Sequence, residues 1–426
     1  MSGRDEATAP SPSVGIGVDR TPFTVSHDTR QTYAGYYWSK LPLWLQIVVV
    51  YVASRLLATT IMLAFAANQD DTWQTSARPG LVEFSNLWDA QWYERIATGG
   101  YPSELPRNDE GRVTENAWAF MPVYPMLVRI GMLLTGLPFG VVAMTLSLVF
   151  GLVSAFLFHR LMTTVLDRST AMFATVLYCI APLSPMLQVG YAESLQMCFV
   201  SALLICLVER RWALMAPLVV LASFTRPSGL AWALTLGLYF LYRWWRLRRD
   251  GLEFPRRDVV ALLGLGALSV LAGFGWLLVA WLVTGDFHAY LDTELAWRAH
   301  YTGPGELVPF TAWYHAGEFW IGGVAGIVTV TVVLLAMAVL LALPIMRRLG
   351  IEIRLWLVSY VLYLVAVFFP QSSVFRLFMP IFPVLGVLAL PRSPLVRVLL
   401  VAGSIVGQLV WITWCWYVIG HDWTPP

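Results

Sequence analysis

The sequence predicts an all-α protein whose helices cross a membrane many times. Apolar residues make up 58% of the 426 residues and charged residues only 13%, against roughly 45–50% and about 25% in ordinary globular proteins. The chain also holds 20 Trp, 17 Tyr and 22 Phe, and aromatic side chains are enriched where helices meet the faces of a bilayer. A net charge of +2, with no basic stripe, argues against a nucleic-acid partner.

Eleven apolar runs approach the roughly 20 residues that a membrane helix needs, and each is a predicted span. They begin near Leu41, Leu137, Ala171, Tyr191, Trp212, Leu230, Val259, Trp320, Leu355, Leu377 and Leu395. Residues 1–36 are polar and rich in Ser, Thr, Pro and Gly, which predicts a disordered tail. Residues 37–426 are then a single transmembrane domain.

A twelfth segment, Phe120 to Gly136, is short and carries Arg129. If it does not cross and the N-terminus is inside, the inner loops hold fifteen basic residues, while the outer loops hold eight basic and fifteen acidic ones. Cytoplasmic loops collect Lys and Arg, and a crossing here would invert the bias. The sequence therefore predicts that the segment stays at the outer face of a multi-pass plasma-membrane protein with a cytoplasmic N-terminus.

This topology leaves two extended outer loops, the first long loop at about 68–136 and the second long loop at 284–319. Loops on one face of a helical bundle are where binding and catalytic residues concentrate. The remaining connections are short. The site is therefore expected on the extracytoplasmic side.

A short amphipathic helix is predicted in the first long loop. Its apolar face consists of Leu87, Trp88, Trp92 and Ile96, which recur at helical spacing. Asn86 is expected to cap the helix, Gly99 and Gly100 to end it, and its rings to dip into the headgroup region of the membrane. Asp89 on the first turn has two open interpretations: an acid that satisfies the helix N-terminus, or a general base.

Three further ionisable residues fall near the outer ends of predicted spans: Glu193, Arg226 and Arg376. Any one of them could simply extend to water. Together with Asp89 they bring two carboxylates and two arginines to one face of an apolar bundle, a set that suits an anionic headgroup and a hydroxyl. Arg55, near the middle of the first span, is left without an assigned role.

The second long loop contains four residues that could suggest a metal: His288, Asp292, His300 and His315. Their spacing fits no standard metal site, so solvated loop residues are favoured. No cofactor is predicted, and a divalent metal is left open.

Several segments together resemble the PIG-V-like mannosyltransferases, a family that adds the second mannose to glycosylphosphatidylinositol in eukaryotes and has many bacterial relatives. Each segment alone is a weak signal, but the first four occur in the family's order and the last is a looser match. They are Trp88-Asp89 through Ile96-Ala97 to Gly100-Tyr101, Phe120 to Pro125, Tyr191 to Leu195, Thr225 to Gly229, and Arg376 to Pro383. The chain is similar to the bacterial branch of the family.

The resemblance implies a GT-C membrane glycosyltransferase that takes its sugar, mannose in this family, from a polyprenyl-phosphate donor. It also implies that a carboxylate of the first outer loop activates the acceptor. Asp89 matches that carboxylate by position. Arg226 and Arg376 are expected to hold the donor phosphate, Glu193 to orient Asp89 or bind sugar hydroxyls, and three aromatic residues to line the substrate site: Trp88, Tyr93 and Tyr124. A single displacement would invert the anomeric carbon.

The acceptor is left open as a lipid, a glycan or a protein, and membrane lipids are expected partners. Two other functions compete with transfer. A transporter or flippase of a lipid-linked sugar would bind the same headgroup, but it would be expected to carry polar residues through the middle of the bundle. A noncatalytic subunit of a complex is the third possibility.

Overall fold

The structure of the protein is a computed structural model that describes residues 37–38, 40–303 and 305–418. This part of the chain is helical, and its one β-type pairing is an isolated bridge between Arg107 and Val113. From Leu43 onward it forms one compact unit. The tail predicted at residues 1–36 lies outside the described residues.

The helices are numbered here in chain order. They are α1 (Leu43–Ala66), α2 (Leu81–Phe84), α3 (Asp89–Gly99), α4 (Val123–Thr135), α5 (Phe139–Thr163), α6 (Arg168–Ile180), α7 (Glu193–Val208), α8 (Trp212–Ser223), α9 (Gly229–Asp250), α10 (Arg256–Thr284), α11 (Ala289–Thr302), α12 (Ala312–Trp320), α13 (Gly323–Ala342), α14 (Gly350–Val367), α15 (Val374–Leu377), α16 (Leu385–Leu388) and α17 (Pro394–Trp411). Short 3₁₀ turns lie between some of them, and α17 continues into a π-helical turn at Ile412–Trp416.

Six helical segments among the described residues are long and apolar enough to cross a membrane. They are Leu43–Ala66, Phe139–Thr163, Arg256–Thr284, Gly323–Ala342, Pro344–Val367 and Pro394–Trp416. These segments indicate a multi-pass membrane protein. Each of the other five predicted runs also contains a helix, but those helices do not meet the same criteria, so the count of eleven spans stays a prediction.

Helix α7 lies at the centre of the unit. Most of its side chains are buried, and it packs against α5 on one side and α8 on another. Its first residue is Glu193, so this carboxylate lies where the unpaired N–H groups and the positive end of the helix dipole favour negative charge. The central helix therefore carries one of the predicted site residues at its end.

Arg55 has a structural role that the sequence left undecided. It is buried in α1, and its guanidinium donates hydrogen bonds to the carbonyl oxygens of Cys179, at 2.8 Å, and Ser184, at 2.5 Å. Helix α6 ends at Ile180, and carbonyl groups at a helix end lack partners within the helix. Arg55 thus satisfies backbone acceptors where α6 stops.

The segment that was predicted not to cross forms α4, a helix of 13 residues. At 1.5 Å per residue it is about 20 Å long, well short of a hydrocarbon core of about 30 Å. Arg129 on this helix is exposed. The length of α4 therefore agrees with a segment that does not span.

Helix α3 forms where the amphipathic helix was predicted, but its N-cap residue was wrong. The helix begins at Asp89 with Trp88 as its N-cap residue, while the side-chain amide of Asn86 donates instead to backbone carbonyls in α2 and α5. Leu87 and Ile96 are 1% and 0% exposed and pack on protein, whereas contact of the rings with the headgroup region stays a prediction. The predicted C-terminus of the helix was right: the helix ends at Gly99, and Gly100 follows with φ +81°.

Candidate functional site

A cavity of about 1180 Å³ lies beside α3 and the N-terminus of α7. Its walls come from residues within 73–95, 115–121, 193–197, 226–230, 273–277, 290–307, 319–320 and 360–380. Pockets for one small ligand are usually about 300–1,000 Å³. This cavity therefore has room for more than one small substrate.

Four of the predicted site residues meet in the cavity wall and form what we term the ionic quartet: Asp89, Arg376, Glu193 and Arg226. The guanidinium of Arg376 forms an ion pair with Asp89, and its Nε lies 3.5 Å from Oε1 of Glu193. Arg226 forms an ion pair with that same oxygen of Glu193. The result is a chain of alternating charges in which two positive and two negative groups balance.

The quartet is largely shielded from bulk water. The side chain of Glu193 is 5% exposed and that of Arg376 is 7% exposed, while Asp89 and Arg226 reach 13% and 17%. A buried charge is costly to remove from water unless it is paired. Mutual pairing therefore offsets part of the cost of burying the four groups at this depth.

Each member of the quartet comes from a different part of the chain. Asp89 and Glu193 are the first residues of α3 and α7. Arg226 lies in the turn between α8 and α9, and Arg376 lies in the short helix α15. Both carboxylates thus gain from a helix N-terminus, and the arginines reach them from connections between longer helices.

Trp88 holds the backbone just before Asp89 in an uncommon conformation. Its φ is +58°, a region that non-glycine residues rarely adopt and that costs about 1–3 kcal/mol. Its backbone N–H donates to Oε1 of Gln74 at 3.1 Å, and its indole N–H donates to the carbonyl of Trp416 at 2.9 Å. These bonds fix the sharp entry into α3 that turns Asp89 toward the cavity.

Tyr191 supports both members of the Asp89–Arg376 pair. Its hydroxyl accepts a hydrogen bond from the backbone N–H of Asp89 at 2.9 Å. The guanidinium carbon of Arg376 lies 5.2 Å from the centre of its ring, within the range of a cation–π contact. In the sequence, Tyr191 was part of a motif that resembles the family, and no role was predicted for it.

Tyr93 and Tyr124 lie behind the cavity wall rather than on it. Both are 0% exposed, and their rings meet edge to face with centroids 5.2 Å apart. The hydroxyl of Tyr124 lies 3.0 Å from Oγ of Ser147. The ring of Tyr93 belongs to α3 and packs on that of Tyr124 in α4, whereas Trp88 lines the cavity itself. A substrate-binding role for the two tyrosines stays a prediction.

One helix of the second long loop also lines the cavity, and the sequence analysis did not identify it. Tyr290, Glu294 and Arg298 follow one another at intervals of four along α11, share one face, and all line the cavity. Burial raises the pKa of Glu294, and Arg298 acts in the opposite direction. We call these three residues the α11 stripe. Their spacing was visible in the sequence, but nothing there showed that this helix turns inward.

Other residues of the two long loops meet at the cavity margin. His300 Nε2 lies 3.1 Å from Oε1 of Glu115, and the rings of Trp92 and Trp297 meet edge to face at 5.7 Å. Burial raises the pKa of Glu115, while His300 lowers it. Among the described residues, no three His, Cys, Asp or Glu side chains gather as metal ligands would.

The arrangement combines a carboxylate that can accept a proton, two guanidinium groups that can bind an anion, and mostly apolar walls. Residues 41–237 match the family model described as Mannosyltransferase (PIG-V). No curated protein matches the chain. The matched residues include three members of the quartet, and Arg376 lies beyond them. The match supports a membrane glycosyltransferase of the mannosyltransferase type.

Proposed function

We propose that this protein transfers mannose from a polyprenyl-phosphate donor to an acceptor hydroxyl, with inversion, in a GT-C-type site on the extracytoplasmic side of the plasma membrane. The observation that carries the proposal is the convergence of Asp89, Arg226 and Arg376 in one cavity. The match to a mannosyltransferase family supports the choice of sugar.

The two arginines are suited to hold the phosphate of the donor. Guanidinium groups bind phosphate oxygens through paired, charge-assisted hydrogen bonds. Both guanidinium groups are paired with Asp89 and Glu193, so an incoming phosphate competes with the carboxylates. Binding of the donor therefore frees carboxylate oxygens at the moment when the acceptor needs a base.

Asp89 would then take the proton from the attacking hydroxyl as that oxygen bonds to the anomeric carbon. The leaving group is a phosphate, which departs as an anion and needs charge stabilisation instead of a proton. One carboxylate therefore suffices, whereas a glycosidase uses an acid–base pair. Direct attack on the face opposite the phosphate inverts the anomeric configuration.

The apolar part of the cavity wall supports a donor with a lipid tail. Leu230, Leu277 and Leu364 line the cavity. Phe274 also lines it, yet is 52% exposed on the apolar helix α10. A side chain that faces both the cavity and the surface of a helix apolar enough to span marks a lateral path for a prenyl chain. Transfer of such a chain from an apolar environment to water costs about 0.8 kcal/mol for each CH₂ group.

The proposal is tested with membranes that contain equal amounts of wild type, Asp89→Asn or the matched control Asp70→Asn. Asp70 lies in the same long loop but is exposed and does not line the cavity. Radiolabelled polyprenyl-phosphate mannose is supplied with acceptor lipids and glycans extracted from the producing cells. General-base catalysis contributes about 10²–10⁴-fold, so we expect at least a hundredfold loss for Asp89→Asn and none for Asp70→Asn.

Unchanged transfer by Asp89→Asn would remove that residue as the base. If wild type moves the labelled lipid across the membrane but transfers no sugar, the competing transporter function gains support and the proposed reaction fails.

A further inference from the structure

The ionic quartet does not account for all the polar side chains of the cavity. The α11 stripe, contributed by the second long loop, adds three more. A transfer reaction needs two substrates in the site at once, and the volume of about 1180 Å³ exceeds what one small ligand usually occupies. The stripe therefore lies where a second substrate can be held while the first occupies the arginines.

The stripe is held in a fixed position from both sides. Asn116 of the first long loop donates a buried hydrogen bond to Oγ1 of Thr293 at 2.8 Å. Arg298 donates to the carbonyl of Val367 at the end of α14. Side chains anchored in this way lose less freedom when a ligand binds, which favours a specific site over an adaptable surface.

The chemistry of the stripe suits hydroxyl groups better than a second anion. It combines a phenol, a carboxyl and a guanidinium, and so offers both donors and acceptors. The raised pKa of Glu294, caused by burial, favours a neutral carboxyl that can donate as well as accept. Beside the stripe, the cavity is also lined by the indole rings of Trp92 and Trp297, which offer apolar surface to the faces of a sugar ring.

We propose that Tyr290, Glu294 and Arg298 form the acceptor subsite, which binds the non-reacting hydroxyls of a glycoside whose reactive hydroxyl reaches Asp89. This inference rests on the proposed function and extends it, since it makes the acceptor a hydroxyl-rich glycoside. It also makes Glu294 a specificity-determining residue.

The test uses the full-length protein in lipid nanodiscs, with octyl α-mannoside as the probe. Saturation-transfer NMR measures its binding directly, and a transfer assay measures the KM of the same compound as acceptor and the KM of the polyprenyl-phosphate mannose donor. The variants are Glu294→Ala, Glu294→Gln and Asp292→Ala. Asp292 is the matched control because it belongs to α11 but does not line the cavity.

We expect Glu294→Ala to weaken probe binding and raise the acceptor KM by about tenfold, the usual effect of losing a hydrogen bond to a ligand. Glu294→Gln keeps a donor and an acceptor and should restore part of the loss. The donor KM should stay within twofold of wild type, and Asp292→Ala should behave as wild type. If Glu294→Ala does not fold, the Gln variant alone decides, with a smaller expected effect in the same direction.

Three results would overturn the inference: no binding of the probe to wild type, no effect of either Glu294 variant, or an equal rise in the donor KM. Failure of the proposed function looks different. In that case wild type transfers no sugar from the lipid donor, while binding of the probe still depends on Glu294.

Discussion

Substitution of Tyr191 by Phe tests whether the hydroxyl beside Asp89 positions that residue for reaction. The change removes one oxygen, which accepts from the backbone N–H of Asp89 at 2.9 Å and lies 3.4 Å from the carbonyl of Leu87. The ring stays, so the cation–π contact with Arg376 at 5.2 Å is retained. The variant therefore separates the hydrogen bond from the packing.

The expected magnitude follows from the group that loses its partner. A backbone N–H left unsatisfied in a buried site costs about 1–3 kcal/mol. The preceding residue, Trp88, already holds a strained φ of +58°, and the entry into α3 can relax once the restraint at Asp89 is gone. If the displacement costs the transition state about 1.4 kcal/mol, the rate falls about tenfold.

The assay compares kcat and the donor KM of purified wild type, Tyr191→Phe and Tyr51→Phe. Tyr51 is a suitable control because its buried hydroxyl also donates to a carbonyl, that of Leu148 at 2.8 Å, and it does not line the cavity. We expect both variants to lose similar thermal stability, but only Tyr191→Phe to lose kcat, with little change in the donor KM. Equal kcat values for the two variants at matched folding would refute the positioning role.

Three further predictions concern stability. Arg55→Leu should lower the free energy of unfolding by about 2–5 kcal/mol, because it leaves two buried carbonyl groups without a donor. The thermal midpoint should fall accordingly, while kcat per folded molecule stays the same. Gly229→Ala should cost about 1–3 kcal/mol, because its new Cβ would lie 2.7 Å from the backbone of Gly273, and a fluorescence melting curve measures this. Burial raises the pKa of Glu294, so its stabilising contribution is complete below the pKa of the unfolded chain and is lost as pH rises through the folded value. The melting temperature of wild type relative to Glu294→Gln should therefore fall as pH rises above about 4, the ordinary pKa of a glutamate, and a constant difference would contradict this.

The sequence was sufficient to predict the helical class and the members of the ionic quartet, because both depend on local signals. Long apolar runs have few alternatives to membrane helices, and a charge at the end of such a run is conspicuous. Asp89, Glu193, Arg226 and Arg376 each stood out for this reason, and their meeting in one cavity follows the grouping that the loop charges indicated.

What the sequence could not predict depends on which face of a segment turns inward. The apolar face of α3 has the pattern of a helix on a membrane surface, yet Ile96 is buried and the helix packs against α4, while Trp92 lines the cavity. Glu294 was not singled out in the sequence, since nothing local shows that α11 turns toward the cavity. Arg55 could not be assigned, because its partners at Cys179 and Ser184 are more than a hundred residues away in the chain.

The pairing within the quartet bears on the order in which the substrates would act. Arg376 forms an ion pair with Asp89, and a carboxylate oxygen that already accepts a hydrogen bond from a guanidinium is less accessible to an incoming hydroxyl. In the proposed reaction, an acceptor that arrives first would meet a carboxylate that is already engaged. A donor phosphate that arrives first would instead compete for Arg376 and release Asp89, and the guanidinium would then balance the phosphate in place of the carboxylate. The ion pair that offsets the cost of burying these charges would therefore favour binding of the donor before the acceptor is activated.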